Sequence, residues 1–349
     1  MKKVSVIIPC YNATKWLPRC FLSLVKQTIG MKEIELIFVD DASDDEGMTW
    51  SMLKEFEAAY PESIMIIHLE DNMRQGGARN VALQYATGEY IAFVDADDFV
   101  ADEFLEKAYQ RAKQDDADIV QFSFSYYTER LGAVQLGSQG ADEKIVIHSQ
   151  QERKSFLINE KLTYGCWNKI YRRELVENAK IRFAEHVIYE EPLFVYPLFF
   201  CGTTFSVMKD SLYFYRQNEG GTMRSDMIHF DTLKMHLQVQ MSVWNFMKRT
   251  PYFKDYYEEI KLYFLHTYFY ETLYFAKQRG FRIPWEMYLE MERTIKDEVP
   301  DYDRSEYAGL IPKQMELYKL VRSGMEEQLL QNYMQTLWVA GGSDDKKEK

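Results

Sequence analysis

The residues best suited to chemistry are four consecutive positions, Asp95-Ala96-Asp97-Asp98. Hard divalent cations such as Mg2+ and Mn2+ favour carboxylate oxygens, and a diphosphate supplies more oxygens, so this run can join protein to a polyphosphate ligand through a metal. In that role Asp97 is the direct ligand and Asp95 faces a ribose or a metal-bound water. Asp98 orients a neighbour or takes Asp97's place. The same residues also suit an acidic turn that caps the helix after it. Two further acidic groups stand out, Asp40-Asp41-Ala42-Ser43-Asp44-Asp45 and the pair Glu190-Glu191 ahead of Pro192.

Composition narrows the ligand class. The formal net charge is -12 over 349 residues and no long Lys/Arg block occurs, which excludes a nucleic-acid groove or a polybasic membrane patch. Apolar runs such as Val4 to Pro9 and Pro192 to Cys201 are too short to cross a bilayer. Met1-Lys2-Lys3 leads straight into a strand-like run rather than a signal peptide's apolar stretch. The scattered cysteines Cys10, Cys20, Cys166 and Cys201 form no CxxC pair and read as buried free thiols of a cytoplasmic protein. The six histidines show no metal spacing, and only His186 lies near the acid pair.

Elements must place these acids. Short β-branched and aromatic runs (Val4 to Ile8, Ile34 to Val39, Ile64 to His68, Tyr90 to Val94, Ile119 to Tyr126) alternate with helical patterns at Trp16 to Gln27, Met48 to Ala59, Gly77 to Ala86 and Asp102 to Lys113. Such alternation predicts βαβ crossovers and a mostly parallel, Rossmann-like α/β sheet, with ligands beyond the carboxyl ends of its strands. The polar clusters all sit at those ends. A loop or hairpin is expected between Leu131 and Lys144, with Ile145-Val146-Ile147 as a return strand. Beyond His229 the pattern is helical, with Phe230, Leu233, Leu237, Met241 and Trp244 on one face and Leu262, Leu265, Phe269, Leu273 and Ala276 on another. Gly280 ends a helix, Pro284 and Pro312 open two more, and the polar end from Gly341 to Lys349 is expected to be disordered.

Four stretches in order, Val4-Ser5-Val6-Ile7-Ile8-Pro9-Cys10-Tyr11-Asn12, Ile37-Phe38-Val39-Asp40-Asp41-Ala42-Ser43-Asp44-Asp45, Gly77-Ala78-Arg79-Asn80 and Gly88 to Asp98, together resemble the family 2 inverting glycosyltransferases of GT-A fold. The resemblance implies that Pro9, Tyr11 and Asn12 lie along a nucleotide, that Asp40 holds the base edge with Asp41 beside it, and that Arg79 is at the donor site. It makes Asp95 and Asp97 the metal motif. From the residue alone, Arg79 suits either a phosphate or an acidic loop.

A later stretch, Cys166-Trp167-Asn168-Lys169-Ile170-Tyr171-Arg172 with Ile181-Arg182-Phe183 and Tyr189-Glu190-Glu191-Pro192, resembles the family's non-processive branch. The second acid of the pair is that branch's general base, so the role passes to Glu191. An inverting transfer needs one such carboxylate to take the acceptor hydroxyl's proton. Pro192 would place Glu191 at or beside a helix N-cap, where the dipole favours the ionised form, and a plain cap is the alternative reading. The family usually has Asp there; one extra methylene moves the carboxylate by about 1.5 Å, which keeps Glu190 as a second candidate. Tyr213 to Asn218 and Gly220-Gly221-Thr222 resemble the segment that folds over the diphosphate, where Arg216 could neutralise the leaving group.

These readings predict a GT-A domain over 1–225, with a donor half to 130 and an acceptor half from 131, then a helical region over 226–340 and the tail. The expected function is Mn2+- or Mg2+-dependent transfer of a sugar from a nucleotide-diphospho-sugar, UDP foremost, to a saccharide or lipid-linked saccharide in cell-surface polysaccharide synthesis. The alternative is a catalytically silent sugar-nucleotide-binding scaffold in a polysaccharide assembly complex. The helical region offers a surface for a second copy or a membrane-bound partner at the inner face of the membrane.

Overall fold

In the computed structural model the described residues are 2–135, 141–217, 230–278, 280 and 282–339. The expected tail, the Gly220-Gly221-Thr222 segment and part of the expected hairpin loop lie outside them. The chain divides into two compact units, Met1–Asp226 and Met227–Lys349.

In the first unit, strands and helices alternate as the periodicity predicts: β1 (Val4–Cys10), α1 (Leu17–Val25), β2 (Ile34–Asp40), α2 (Met48–Ala59), β3 (Ile64–His68), α3 (Arg74–Leu83) and β4 (Tyr90–Phe93). β5 (Phe99–Val100), α4 (Phe104–Asp115), β6 (Ile119–Thr128), β7 (Gly132–Gln135), β8 (Glu143–Val146), α5 (Gln150–Ile158), β9 (Lys169–Arg172), α6 (Arg173–Ala179), α7 (Glu191–Cys201) and β10 (Thr204–Arg216) follow. Among the described residues ten strands form one sheet, whose main path runs β3-β2-β1-β4-β9-β6-β10-β5.

One half of it, β3-β2-β1-β4, is parallel throughout. Both of its faces are covered, so β1 and β4 are buried at every position, as continuous apolar runs require. The other half brings antiparallel pairs: β9 lies between β4 and β6 and is antiparallel to both. This four-residue strand carries no period of its own, and pairing on both edges is what creates it. β7 returns against β6 as a hairpin, and β8 pairs with β10 as the expected return strand. Of the cysteines, all free, Cys10, Cys20 and Cys166 are buried while Cys201 is only partly so.

The second unit is helical: α8 (Phe230–Lys248), α9 (Tyr252–Asp255), α10 (Tyr257–Phe264), a π-helical turn (Leu265–Tyr270), α11 (Glu271–Gln278), α12 (Trp285–Glu298), α13 (Pro312–Gly324) and α14 (Glu327–Val339). Its core stacks Trp244 on Phe264 at 4.6 Å and Phe264 on Tyr268 at 4.9 Å. The buried face of α8 differs from the expected one. His236 and Gln240 are inside, while Leu237 and Met241 are only half-buried and Phe230 is exposed. Polar groups can turn inward here because they are paired: His236 Nε2 meets the Thr267 carbonyl at 2.9 Å and Tyr263 donates to Gln240 at 3.2 Å. Among the described residues no helix is long and apolar enough to cross a membrane.

Burial, which outweighs the Thr267 bond, pushes the His236 pKa down, so the folded state holds it neutral. The unfolded chain takes up that proton below about pH 6.5, so this part of the stability is present above that value and lost as the pH falls through it. In thermal melts from pH 7.5 to 5.5, His236→Gln should therefore gain stability relative to the wild type as the pH falls. An unchanged pH slope in the variant would contradict a neutral buried His236.

Candidate active site

Parallel pairing sets the carboxyl ends of β1, β2 and β4 along one edge, and the polar clusters emerge there. Pro9 is a buried strand residue opposite Val39, so the loop proper starts after Cys10. Asn12, at φ 49°, and Asp44 bind each other: the Asp44 N–H donates to Asn12 Oδ1 at 3.0 Å and Asn12 Nδ2 donates to the Asp44 carboxylate. Tyr11 is half exposed and its hydroxyl donates to Asp44 at 3.3 Å. Asp40 is fully buried, with its carboxylate between the Ser43 hydroxyl and His68 Nδ1 at 2.8 Å. His68, to which the sequence alone assigns no role, ends β3 directly opposite Asp40 at the end of β2. Asp41 accepts the Met73 N–H at 2.7 Å, and burial pushes its pKa up.

The Asp95-to-Asp98 turn is held from β10. The Asp95 N–H donates to the Tyr213 hydroxyl at 3.1 Å, and that hydroxyl donates to Asp98 Oδ2 at 2.7 Å. Asp98 Oδ1 accepts the Arg216 N–H at 2.6 Å, while Arg216 Nε donates to the Asp97 carbonyl at 2.7 Å. Asp98 is buried, and burial ahead of its acidic neighbours pushes its pKa well up. Both its oxygens are therefore taken by anchoring bonds, while Asp95 and Asp97 stay half-buried at the cleft. The Arg216 guanidinium is itself buried, paired with Glu129 and lying over Trp16 at 4.5 Å.

Arg79 joins the two acidic groups. Its buried guanidinium donates to Asp95 Oδ1 at 2.7 Å through one nitrogen and to Glu190 through another. Of the two partners its sequence suited, it has the acidic ones. Its neighbour Asn80 ties α3 to the same incoming loop, accepting the Phe183 N–H at 2.9 Å and donating to the Phe183 carbonyl at 3.0 Å. Gly76 permits that approach, since a Cβ there would lie 2.0 Å from the Ala184 carbonyl oxygen and 3.0 Å from Glu190 Cγ. The loop carries left-handed backbone at His186 (φ 59°) and Tyr189 (φ 63°), two strained non-glycine positions beside the acid pair. The His186 side chain is exposed, and the residue's backbone N–H donates to the Met73 carbonyl at 3.1 Å.

Glu191 opens α7 after Glu190, and neither side chain makes a capping bond. Glu191 instead accepts the Cys166 N–H at 2.7 Å. Its second oxygen has no hydrogen-bond donor among the described residues. The expected dipole effect is outweighed: burial first, then the charge of Glu190, raise the Glu191 pKa to about 7, with Arg79 pulling the other way. Lys169, to which no role attaches from sequence, is wholly buried below this loop. Its ammonium donates to the Gly165 carbonyl at 2.6 Å, Asn168 Oδ1 at 2.8 Å and Thr163 at 2.9 Å. Burial lowers its pKa to about 7.

The family model "Glycosyl transferase family 2" matches residues 5–179, half of the chain. The chain belongs to that family. Among curated relatives, glycosyltransferase GlyG of Streptococcus pneumoniae is 27% identical over 64% of this chain and 73% of its own length. Poly(ribitol-phosphate) beta-N-acetylglucosaminyltransferase TarS of Staphylococcus aureus is 30% identical over 64% of this chain, but the match spans only 37% of TarS. A crystal structure of S. aureus TarS in complex with UDP-GlcNAc superposes with a TM-score of 0.72, covering 95% of this chain and 89% of that one at 23% identity. The fold of this family 2 member is thus GT-A, and the enzyme is a glycosyltransferase.

Among the described residues no three His, Cys, Asp or Glu side chains converge into a ready metal cage. The donor set nevertheless fits Mg2+ or Mn2+ held in the way those ions prefer, by one or two carboxylates plus substrate phosphates. Asp97 and Asp95 could hold such an ion, while both oxygens of Asp98 are engaged in anchoring the turn.

Removing only the Tyr213 hydroxyl deletes two bonds to this turn. Tyr213→Phe should weaken binding of a UDP-sugar with Mn2+ by about thirtyfold, at about 1 kcal/mol for each lost bond's net contribution. Calorimetric titration checks it; wild-type affinity in the variant would show that the clamp does not position the aspartates.

Proposed function

We propose that this family 2 enzyme transfers a sugar, with inversion, from a nucleotide-diphospho-sugar to a saccharide hydroxyl, with Glu191 as the general base. The single observation that carries the reading is the division of labour in the acid pair. Glu190 is bound to Arg79, whereas Glu191 keeps one oxygen without a hydrogen-bond donor among the described residues and has its pKa near 7.

Glu191 would receive the proton of the acceptor hydroxyl while that oxygen forms its bond to the anomeric carbon. The bond from that carbon to the diphosphate oxygen breaks on the opposite face, and the nucleoside diphosphate departs with the electron pair. Asp97 and Asp95 would hold the divalent cation, which supplies charge neutralisation at the diphosphate. Tyr213, Asp98 and Arg216 keep that turn in place. Tyr11, Asn12, Asp40 and Asp41 line the strand ends where the nucleoside would lie.

A uridine donor is supported by the TarS complex with UDP-GlcNAc. A cell-surface polymer as acceptor is supported by the relatives named for poly(ribitol phosphate) glycosylation.

The base assignment has a definite sign in pH. Glu191 accepts a proton only when ionised, so kcat should fall as the pH drops through about 7. A raised folded-state pKa also means that Glu191 contributes stability below its unfolded value, which is lost as the pH rises through the folded one. Glu191→Gln should therefore keep or raise the Tm while lowering kcat by about 10²–10⁴. Donor consumption and product formation, read with and without EDTA, check both points. Transfer by Glu191→Gln at the wild-type rate would transfer the base role elsewhere, and indifference to EDTA would remove the metal.

A further inference from the structure

One cluster at the cleft is used neither in donor binding nor in proton transfer. Trp167 follows Cys166, whose N–H holds Glu191. Its ring packs on Tyr213 at 4.8 Å and on Tyr215 at 5.4 Å, and meets Phe124 edge-on at 4.7 Å. Tyr213 is the residue that clamps the Asp95-to-Asp98 turn. The indole therefore spans from the metal-side clamp to the anchor of the base.

Trp167, Tyr215 and Phe124 are all half-buried, unlike Tyr213, which is wholly covered. Neither the Trp167 indole N–H nor the Tyr215 hydroxyl makes a hydrogen bond to a described residue, and neither is a sealed, unsatisfied core atom. The Tyr215 hydroxyl lies within reach of the charges of Asp98, Asp95, Asp97 and Glu191 together, which, after burial, push its pKa up. It thus feels the acids of both groups at once. Packing explains the aromatic character of these residues; it does not explain an indole N–H and a phenol hydroxyl left without a partner among the described residues.

We propose that Trp167 and Tyr215 form the subsite for the acceptor, and that it takes a pyranose ring. This rests on the transferase reading above. The indole presents a flat, polarisable surface to the C–H face of a ring, while the Trp167 N–H and the Tyr215 hydroxyl supply hydrogen bonds to its hydroxyls. Acceptor rather than donor is indicated by chain adjacency to the anchor of Glu191, the group that must meet the incoming hydroxyl. An open-chain polyol has no rigid face to lay on the indole, so ring acceptors are favoured over ribitol phosphate.

The test uses the full chain with Mn2+ and the UDP-sugar that raises its Tm most. Methyl β-D-glucopyranoside, methyl β-D-galactopyranoside, methyl N-acetyl-β-D-glucosaminide and ribitol 5-phosphate serve as acceptor probes, and UDP release is followed. At least one pyranoside should stimulate release more than ribitol 5-phosphate does. Trp167→Ala should raise the KM for that pyranoside by about tenfold, the scale of one aromatic contact, with the donor KM moving less than twofold. Trp167→Phe should recover much of the loss. Tyr215→Phe, which removes only a hydroxyl, tests the site even where Trp167→Ala does not fold, and should raise the same KM by about threefold, the scale of one hydrogen bond. Ribitol 5-phosphate as the better acceptor, an acceptor KM unchanged in Tyr215→Phe and Trp167→Ala, or an equal rise in donor KM would each overturn the proposal. Absence of any Tm shift with UDP-sugars would instead count against the transferase reading itself.

Discussion

A buried arginine organises this site. Arg79 lies almost completely out of water, and a guanidinium in that position must be matched by opposite charge to be tolerated. Its partners come from two distant parts of the chain, Asp95 after β4 and Glu190 before α7. Gln75 Oε1 accepts from the guanidinium at 3.5 Å, the rings of Phe183 and Phe93 lie 5.3 and 6.0 Å from its carbon, and its Nε has no partner among the described residues. Removing either acid would leave charge exposed to that apolar setting. The pairing therefore fixes where the acid pair sits relative to the aspartate turn.

The sheet makes the meeting possible. Parallel strands β2, β1 and β4 deliver Asp40, the Asn12 loop and Asp95 to one edge, whereas the antiparallel β9 brings Cys166 and Trp167 in beside them. Lys169 at the start of β9 ties its own loop together from below through three bonds. The aspartate turn and the Cys166–Trp167 stretch thus come from different pairing modes of one sheet. With Glu190 occupied, the like charge next to Glu191 helps keep that carboxyl's pKa near neutrality, where a general base is most useful.

Much of this was legible in the sequence because the first half of the chain obeys simple periods. α2 spans Met48–Ala59 as the pattern predicts, and β1 to β4 fall on the apolar runs. The short β9 and β5 were not legible, since strands of four and two residues carry no period and exist through their partners. α8 turned its face because hydrogen bonds to Thr267 and Tyr263 made His236 and Gln240 acceptable inside, which hydrophobicity alone cannot foresee. At the site, composition and order exposed the acids but not their assignments. That Asp98 is an anchor, that Arg216 grips the Asp97 carbonyl and Glu129, and that His68 closes on Asp40 all depend on neighbours far away in the chain. Only the His68 contact had a readable signal, the shared end of adjacent parallel strands.

The coupling of Arg79 to Glu190 is the most direct test of the whole arrangement. A double-mutant cycle with Arg79→Met, Glu190→Gln and the pair, read as kcat/KM for transfer, measures it. If the ion pair sets the geometry of the acid pair, the double variant should lose little more than Arg79→Met alone, with a coupling energy above about 1 kcal/mol. Losses that simply add would contradict the account, because Arg79 and Glu190 would then act independently and Glu190 would again compete with Glu191 as the base.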